Sequence, residues 1–404
     1  MSETLRPRLS WLTVAGLINA PVALWFFLSE QSSFLHGQMS RGQVPGRDFI
    51  NYWSGARLLL QGRIRDIFQQ DAYVRALTSW WGPGLAVHSF SYPPSILPLI
   101  IWLGALPYGL ALALWSLVGF AALYAAAWPY SRRPSTALLI LVSPAVAVCL
   151  DVGQNGLITS ALLIGGLRLT DRRPWLGGAL IGLVTFKPQL GLLIPLALLA
   201  SGRWKGICGA AISALVLAAA GTLLAGAQGW TLYLTKTLAY QKVLLEQSGG
   251  AWSVMTPSPF VAGLNAGLPH AWAWIVQGAI SLACALAVIL RFRRVRHEGR
   301  AIDGMDILLL TAAGFLAAPY SFNYDMPGLV LAMAVAGAER PALEMSTAWR
   351  WGVLCLWSAP ILMVLMGVLA LIAGVTWAPV GTLLMTAGLV LTWRGSAKVC
   401  APVA

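Results

Sequence analysis

The chain has 404 residues, of which 58% are hydrophobic and only 10% are charged, and its mean hydropathy is +0.72. A soluble domain carries about 25% charged residues, so a chain this poor in charge could not cover its surface in water. Its formal net charge of +13 does not indicate nucleic-acid binding, because the cations form short clusters between apolar blocks rather than one basic face. We therefore predict an integral membrane protein, with residues 1–404 forming one domain.

The apolar blocks are continuous rather than alternating, which predicts a bundle of transmembrane helices and not a barrel. The five cysteines show no CxxC pairing and the four histidines are scattered. The sequence therefore predicts no disulfide framework, no metal site and no cofactor.

The spans follow in chain order, beginning with an apolar stretch after Arg6 and Arg8 that we interpret as a first span rather than a cleaved signal. Two short apolar segments, 93–107 and 259–269, are treated as dips into the outer leaflet. An all-α bundle of about twelve helices results, with both termini and every basic cluster in the cytoplasm. The predicted spans are 10–29, 109–129, 136–150, 156–168, 175–186, 188–201, 206–226, 271–290, 304–318, 326–338, 351–373 and 377–393.

The first outer loop, 30–108, is predicted to hold surface helices and the re-entrant segment 93–107. Pro45 and Gly46 interrupt the preceding chain, and Asp48 is a good N-cap for an amphipathic helix carrying Phe49, Tyr52 and Trp53 at the membrane surface. A second helix is expected from about Asp66 through Leu77, ending before Gly82. From the residues alone Asp48 either caps the helix or acts in a site at the water–lipid boundary.

Other polar residues are predicted to converge on the same outer face. They are His88 and Tyr92 before the dip, Asp151, Gln154 and Asn155 in a tight turn, Lys187 and Gln189 in FKPQ, and Tyr324 and Asp325 in SFNYD. Each group has a plain structural interpretation: an aromatic belt for the first, a hydrogen-bonded turn for the second, and a snorkelling lysine for the third. Their convergence on one face favours a binding site.

Five sequence motifs carry a resemblance to a known family. They are RDFINYWSGARLLLQG at 47–62, SYPPSILPLIIWLGALPYGLALALW at 91–115, LDVGQNGLITSALLIGGL at 150–167, LGGALIGLVTFKPQLGLLIPLALL at 176–199 and APYSFNYDMPGLVL at 318–331. In order and spacing they resemble glycosyltransferase family 87, a branch of the GT-C superfamily that includes polyprenyl-phosphate-mannose-dependent α-1,2-mannosyltransferases. Some relatives have a histidine in the last loop, where this chain has Asn323 and Tyr324.

The resemblance implies transfer of a hexose, mannose above all, from a polyprenyl-phosphate donor to a hydroxyl of a glycolipid or polysaccharide. The reaction would be an inverting displacement on the outer face of a bacterial plasma membrane, with Asp48 as the base. The partners would be that donor, that acceptor and the lipid bilayer, with no nucleic acid. Lys187 is the first candidate for the donor phosphate, followed by Arg47, Lys236 and Lys242. The remaining predicted binding residues are Tyr52, His88, Tyr92, Asp151, Gln154, Asn155, Gln189, Tyr324 and Asp325.

Two other classes stay open from the sequence. A transporter or lipid-linked sugar flippase would typically show internal repeats and ionisable residues near mid-membrane, and neither is evident. An O-antigen ligase or polymerase would be expected to carry its large outer loop late in the chain, whereas here the large loop follows the first span.

Overall fold

The computed structural model describes residues 10–35, 42–128, 134–247, 251–373 and 379–399, and these form α-helices joined by short turns. The α-helices are α1 Trp11–Leu35, α2 Phe49–Leu60, α3 Ile64–Phe68, α4 Gln70–Trp81, α5 Leu97–Ile100, α6 Tyr108–Ala127, α7 Pro134–Leu141, α8 Pro144–Asp151, α9 Gly156–Leu169, α10 Pro174–Gly182, α11 Ile194–Ala200, α12 Trp204–Leu232, α13 Leu238–Glu246, α14 Ala251–Val254, α15 Pro259–Asn265, α16 His270–His297, α17 Gly304–Ala317, α18 Pro327–Glu339, α19 Thr347–Ala373 and α20 Val380–Val399. Tighter 3₁₀ turns cover Pro94–Ile96, Ile101–Ala105, Leu183–Phe186, Pro188–Gly191, Asn323–Asp325 and Pro341–Met345, and a π-helical turn covers Tyr233–Thr237.

Five segments of the described chain are helices long and apolar enough to cross a bilayer. They are Trp11–Ser29, Tyr108–Ala127, Trp204–Glu246, His270–His297 and Thr347–Ala370. The prediction of an all-helical membrane protein is therefore confirmed. The count of twelve spans does not follow from these lengths. Helices of 13 or 14 residues, such as α9, α17 and α18, reach only about 20 Å, which is less than the hydrocarbon thickness of about 30 Å.

Two predicted spans are corrected by the structure. The span predicted at 136–150 is two helices, α7 and α8, because Pro144 follows Ser143 and cannot supply the backbone N–H that a continuous helix needs. The span predicted at 206–226 does not end there. Helix α12 bends at Gly226, where φ is +64°, and helical structure continues through α13, inside the stretch predicted to be an outer loop.

Helix α2 confirms the predicted helix but not its predicted surface position. Ten of its twelve residues are buried inside the protein, including Phe49, Tyr52 and Trp53, so it is not the amphipathic surface helix that was expected. The cause is the segment that follows, since a Cβ on Gly104 would lie 2.5 Å from the Ala56 carbonyl carbon of α2. The second predicted helix is divided into α3 and α4 by extended backbone at Gln69, and it ends at Gly82 as expected.

Both predicted dips return to the end of the bundle from which they start. The first has Tyr92 at one end and Tyr108 at the other, and these rings contact neighbouring residues of α2: Tyr92 lies 5.2 Å from the ring of Tyr52, and Tyr108 lies 5.6 Å from that of Trp53. The second, at 259–269, folds back on the start of α16: the Phe260 N–H donates to Oε1 of Gln277 at 3.0 Å, and a Cβ on Gly263 would lie 3.3 Å from the Cβ of Ala273.

The basic clusters predicted to share the cytoplasmic side do share one end of the bundle, called here the basic end. Arg168 pairs with Glu339 at 2.6 Å, and Arg203 pairs with Asp171 at 2.6 Å. Further pairs at this end join Arg291 and Arg300 to Asp306, and Arg340 to Asp303. Arg6, Arg8 and the cluster predicted at 132–133 lie outside the described residues.

Exposed tryptophans mark both ends of the bundle, as they do in proteins whose helices end at the two membrane–water interfaces. At the basic end they include Trp128, Trp175, Trp204 and Trp351, and at the opposite end they include Trp102, Trp272 and Trp274. The opposite end also holds the polar turns that the sequence predicted to converge.

Candidate active site

The turn between α8 and α9 is built onto the first residues of α2. The backbone N–H groups of Asp48 and Phe49 donate to the Val152 carbonyl at 3.0 and 3.2 Å. Gly153 follows with φ of +64°, and a Cβ there would lie 2.6 Å from the Cβ of Phe49, so the position requires glycine. The indole N–H of Trp115 donates to the Gly153 carbonyl at 3.1 Å and fixes the turn from the side of α6.

Asp48 and Gln154 are joined by this arrangement. Nε2 of Gln154 donates to Oδ2 of Asp48 at 3.0 Å. Asp48 precedes the first residue of α2, but its backbone is already helical and its side chain makes no capping hydrogen bond. The interpretation that Asp48 serves only as a helix cap is therefore wrong. Its half-buried carboxylate faces the 151–155 turn instead.

The orientation of the Gln154 amide is fixed by the donors around its oxygen. The hydroxyls of Tyr52 and Tyr92 lie 2.5 and 2.9 Å from Oε1, and the backbone N–H of Asn155 lies 3.3 Å away. The two hydroxyls are also 2.5 Å from each other, so three oxygens share two protons. Burial raises the pKa of both phenols, which keeps those protons in place. The opposite amide orientation would turn Oε1 toward the Asp48 carboxylate and leave it without a donor.

Lys187 lies at the reversal between two short helical turns and is buried, with 3% of its surface exposed. Its ammonium donates to Oδ1 of Asp325 at 2.5 Å and to Oδ1 of Asn155 at 3.0 Å, and it lies 5.0 Å from the centre of the Tyr324 ring. The snorkelling interpretation is therefore wrong. Burial raises the pKa of Asp325, and the charge of Lys187 opposes that rise.

The turn carrying Tyr324 and Asp325 is held directly against α9. A Cβ on Gly156 would lie 2.0 Å from the Tyr324 carbonyl oxygen, so the two backbones meet where only glycine fits. Asn323 anchors the same turn, because its N–H donates to Met255 and its side chain donates to the Pro360 carbonyl.

The model of glycosyltransferase family 87 matches residues 90–319, which is more than half of the chain. The chain belongs to glycosyltransferase family 87. No curated protein and no solved structure matches it. Membership makes this family 87 protein a membrane glycosyltransferase and sets aside the transporter and flippase alternative.

The part matched to family 87 contains one half of the site. Tyr92, Asp151, Gln154, Asn155 and Lys187 lie within the matched residues. The other half comes from outside that range, on α2 before it and on the Asn323–Asp325 turn after it. The fold brings both halves into one network of hydrogen bonds that runs from Asp48 through Gln154 and Asn155 to Lys187 and Asp325.

Three predicted residues lie at the edge of this network: Arg47, Asp151 and His88. Arg47, with φ of +20°, places Nε 3.9 Å from Oδ2 of Asp151, and Gln31 donates to Oδ1 of the same carboxylate at 3.3 Å. His88 is buried and interacts electrostatically with the Asp48 carboxylate. Burial lowers the pKa of its imidazole, while the Asp48 charge opposes that change.

Three other predicted residues are not brought into the network. Gln189 is partly exposed and makes no hydrogen bond with the described residues. Lys236 and Lys242 are exposed, and Lys242 lies 3.9 Å from Glu246 of its own helix. Sequence reasoning also missed residues that the site uses. Trp115 and Tyr320 both lie inside the quoted motifs, so motif membership was the signal available for them.

Proposed function

We propose that this glycosyltransferase moves a hexose, mannose in the first instance, from a polyprenyl-phosphate donor to an acceptor hydroxyl with inversion at the anomeric carbon. The observation that carries the proposal is the Asp48–Gln154 pair. A single inverting displacement needs one base for the acceptor hydroxyl, and Asp48 is a carboxylate whose orientation is fixed by a neutral donor. The acceptor would be the hydroxyl of a glycolipid or polysaccharide.

The two oxygens of Asp48 would have different tasks. Oδ2 accepts from Gln154, whereas Oδ1 makes no hydrogen bond with the described residues. Oδ1 would accept the proton of the attacking hydroxyl, and the hydrogen bond to Oδ2 would keep the carboxylate from rotating away. A fixed carboxylate of this kind contributes through orientation as well as through basicity.

The departing phosphate would be stabilised by Arg47 and Lys187. Lys187 already has Asp325 as a partner, so much of its field is cancelled at a distance, although its ammonium has a third N–H beyond the two used. Arg47 directly precedes the proposed base, and 30% of its side-chain surface is exposed. Arg47 is also near a carboxylate, Asp151 at 3.9 Å, but it is far more exposed than Lys187. On that difference in exposure we assign the larger share to Arg47, which reverses the order expected from the sequence.

Buried polar atoms without partners would receive the sugar hydroxyls. Nε2 of His88 and Nδ2 of Asn155 are both buried and make no hydrogen bond with the described residues. A buried polar atom left unpaired costs free energy, and a hydroxyl of the bound sugar would satisfy it. Both residues adjoin the Asp48 network, the first through the Asp48 charge and the second through Gln154.

The site would lie below the outer surface of the bilayer. Gly153 is bonded to Trp115, which follows Tyr108 by seven residues, or about 10 Å along α6. On the other side, the 14 residues of α9 separate the site from the basic end by about 20 Å. The two distances sum to about 30 Å, the thickness of the hydrocarbon core. We propose that twelve helical segments surround this recessed outer site, with the basic end in the cytoplasm of a bacterial plasma membrane.

The test is transfer by the purified protein in lipid nanodiscs, supplied with a labelled polyprenyl-phosphate sugar and membrane glycolipid. We expect labelled product with mannose donor and none with Asp48→Asn. The anomeric configuration of the product, read by NMR, should be inverted relative to the donor. A nucleotide-sugar donor that works while the lipid-phosphate donor fails would overturn the proposed donor class, and retention would overturn the mechanism.

A further inference from the structure

The last turns of α16 carry three arginines whose surroundings differ from those of the preceding Arg291. Arg291, one turn earlier, pairs with Asp306 at 2.5 Å and is nearly buried. Arg293, Arg294 and Arg296 are exposed and make no ion pair with the described residues. Exposed arginines without an ion pair to the described residues also occur elsewhere at the basic end, for example Arg172 and Arg173, so the three arginines of α16 are set apart by the groove that they line.

The acidic residues near these arginines are already engaged. Glu298 is 2.8 Å from Arg300, and Asp306 is bonded to both Arg291 and Arg300. Asp171 and Glu339 pair with Arg203 and Arg168. Each of these four carboxylates therefore already has an arginine partner other than the three.

The arginines line a groove of about 660 Å³ beside the end of α11. Its walls are Ala200, Arg293, Arg294, Arg296, His297 and Glu298. Gly202 follows Ala200 closely in the chain and has φ of +70°. A Cβ there would lie 3.2 Å from Nε of Arg296, so the glycine leaves room for that guanidinium beside the groove. Several guanidinium groups around one open groove are suited to a phosphate group, which they bind through paired N–H donors.

An apolar stripe leads along α16 to this groove. Leu282, Leu286 and Leu290 are exposed and follow one another at four-residue spacing. At 100° per residue, Arg293 and His297 continue the same face, and Arg294 and Arg296 flank it. The face is therefore apolar along its length and cationic at its tip, which matches the acyl chain and headgroup of a phospholipid.

We propose that this face of α16 binds an anionic phospholipid, with its phosphate in the arginine groove and an acyl chain along the leucine stripe. Cations at a helix C-terminus also interact favourably with the helix dipole, but that effect requires neither the groove nor the leucine stripe. The lipid class is set by the charge, because a zwitterionic headgroup would bring its own cation into a groove that already has several.

The test is lipid retention by the purified full chain, measured by native mass spectrometry after addition of phosphatidylglycerol, cardiolipin or phosphatidylcholine. The variant is Arg293→Gln/Arg294→Gln/Arg296→Gln. The matched control is Arg172→Gln/Arg173→Gln/Arg394→Gln, which removes three exposed charges elsewhere on the chain. We expect wild type to retain anionic lipid, the variant to bind it on the order of a hundredfold more weakly, and the control to stay near wild type.

Two further measurements keep the outcome decisive. Tens of millimolar inorganic phosphate should fail to displace the lipid, because the leucine stripe contributes to binding; displacement would show a site for phosphate alone. Replacing the three arginines by lysine keeps their charge and should retain part of the binding. This variant therefore distinguishes loss of charge from poor folding of the glutamine variant. Equal weakening in variant and control, or equal retention of phosphatidylcholine, would overturn the proposal.

Discussion

Nε2 of Gln154 donates a 3.0 Å hydrogen bond to Oδ2 of Asp48, joining the turn before α9 to the residue that opens α2, 106 positions earlier. The hydroxyls of Tyr52 and Tyr92 and the backbone N–H of Asn155 donate hydrogen bonds to the amide oxygen of Gln154. Its amide nitrogen is therefore directed at the Asp48 carboxylate. The contact places a fixed donor beside a carboxylate that takes no part in capping its helix.

Asp48→Asn tests the proposed base most directly. Asparagine keeps the size of the side chain and an oxygen for Gln154, but it cannot take a proton. We expect transfer at saturating donor and acceptor to fall by at least about 10²-fold with little change in thermal stability. Asp66→Asn, a carboxylate paired with Arg63 on the surface, is the control and should stay near wild type. A near-normal rate in Asp48→Asn would move the search for the base to Asp151 and Asp325.

Gln154→Glu tests the hydrogen bond to the base through pH. A second carboxylate beside Asp48 disfavours ionisation of both, so the pair holds a proton to higher pH. We expect low activity at neutral pH and a rate–pH profile displaced to higher pH by about one unit or more. Gln189→Glu, outside the network, should leave the profile in place. An unshifted profile in Gln154→Glu would show that Gln154 does not act on the base.

Lys187→Met tests the buried ion pair. Removing the ammonium leaves Asp325 buried without its partner, which typically costs about 3–5 kcal/mol. We expect a large drop in the midpoint of thermal unfolding, and partial recovery when Asp325→Leu removes the second charge as well. Stability would be measured by fluorescence-detected unfolding in detergent. A single variant as stable as wild type would contradict the pairing seen here.

Gly156→Ala tests the contact between α9 and the Asn323–Asp325 turn. The added methyl would lie 2.0 Å from the Tyr324 carbonyl oxygen, so the turn must move away from Asn155 and Lys187. Overpacking of this kind costs about 1–3 kcal/mol, and we expect transfer to fall with stability. Gly165→Ala, in the same helix with its nearest neighbour at 4.0 Å, should be tolerated. Equal behaviour of the two variants would show that the close approach has no role.

Single cysteines in a cysteine-free background test the orientation. Arg65 is exposed in the first outer loop, and Arg172 is exposed at the basic end. In intact cells we expect Arg65→Cys to react with a membrane-impermeant thiol reagent and Arg172→Cys to react only after permeabilisation. Labelling of Arg172→Cys from outside would invert the proposed topology.

The sequence predicted several helices of this protein better than it predicted their surroundings. Helices α2, α9, α17 and α18 begin and end close to the predicted residues, because caps, prolines and glycines act within one turn. The span predicted at 136–150 is broken in a place that Pro144 already indicated. The motifs also indicated the family, and the turn residues they contain do meet.

By itself the sequence determined that the chain is a helical membrane protein with its basic clusters at one end, since hydropathy and charge are properties of local composition. The tertiary structure alone decided that α2 is buried, that Gln154 is directed at Asp48, and that Lys187 is paired with Asp325 across 138 residues. The physical reason is that burial and pairing depend on which distant segment covers a residue. An interface lysine and a buried, ion-paired lysine look the same in sequence until the covering segment is known.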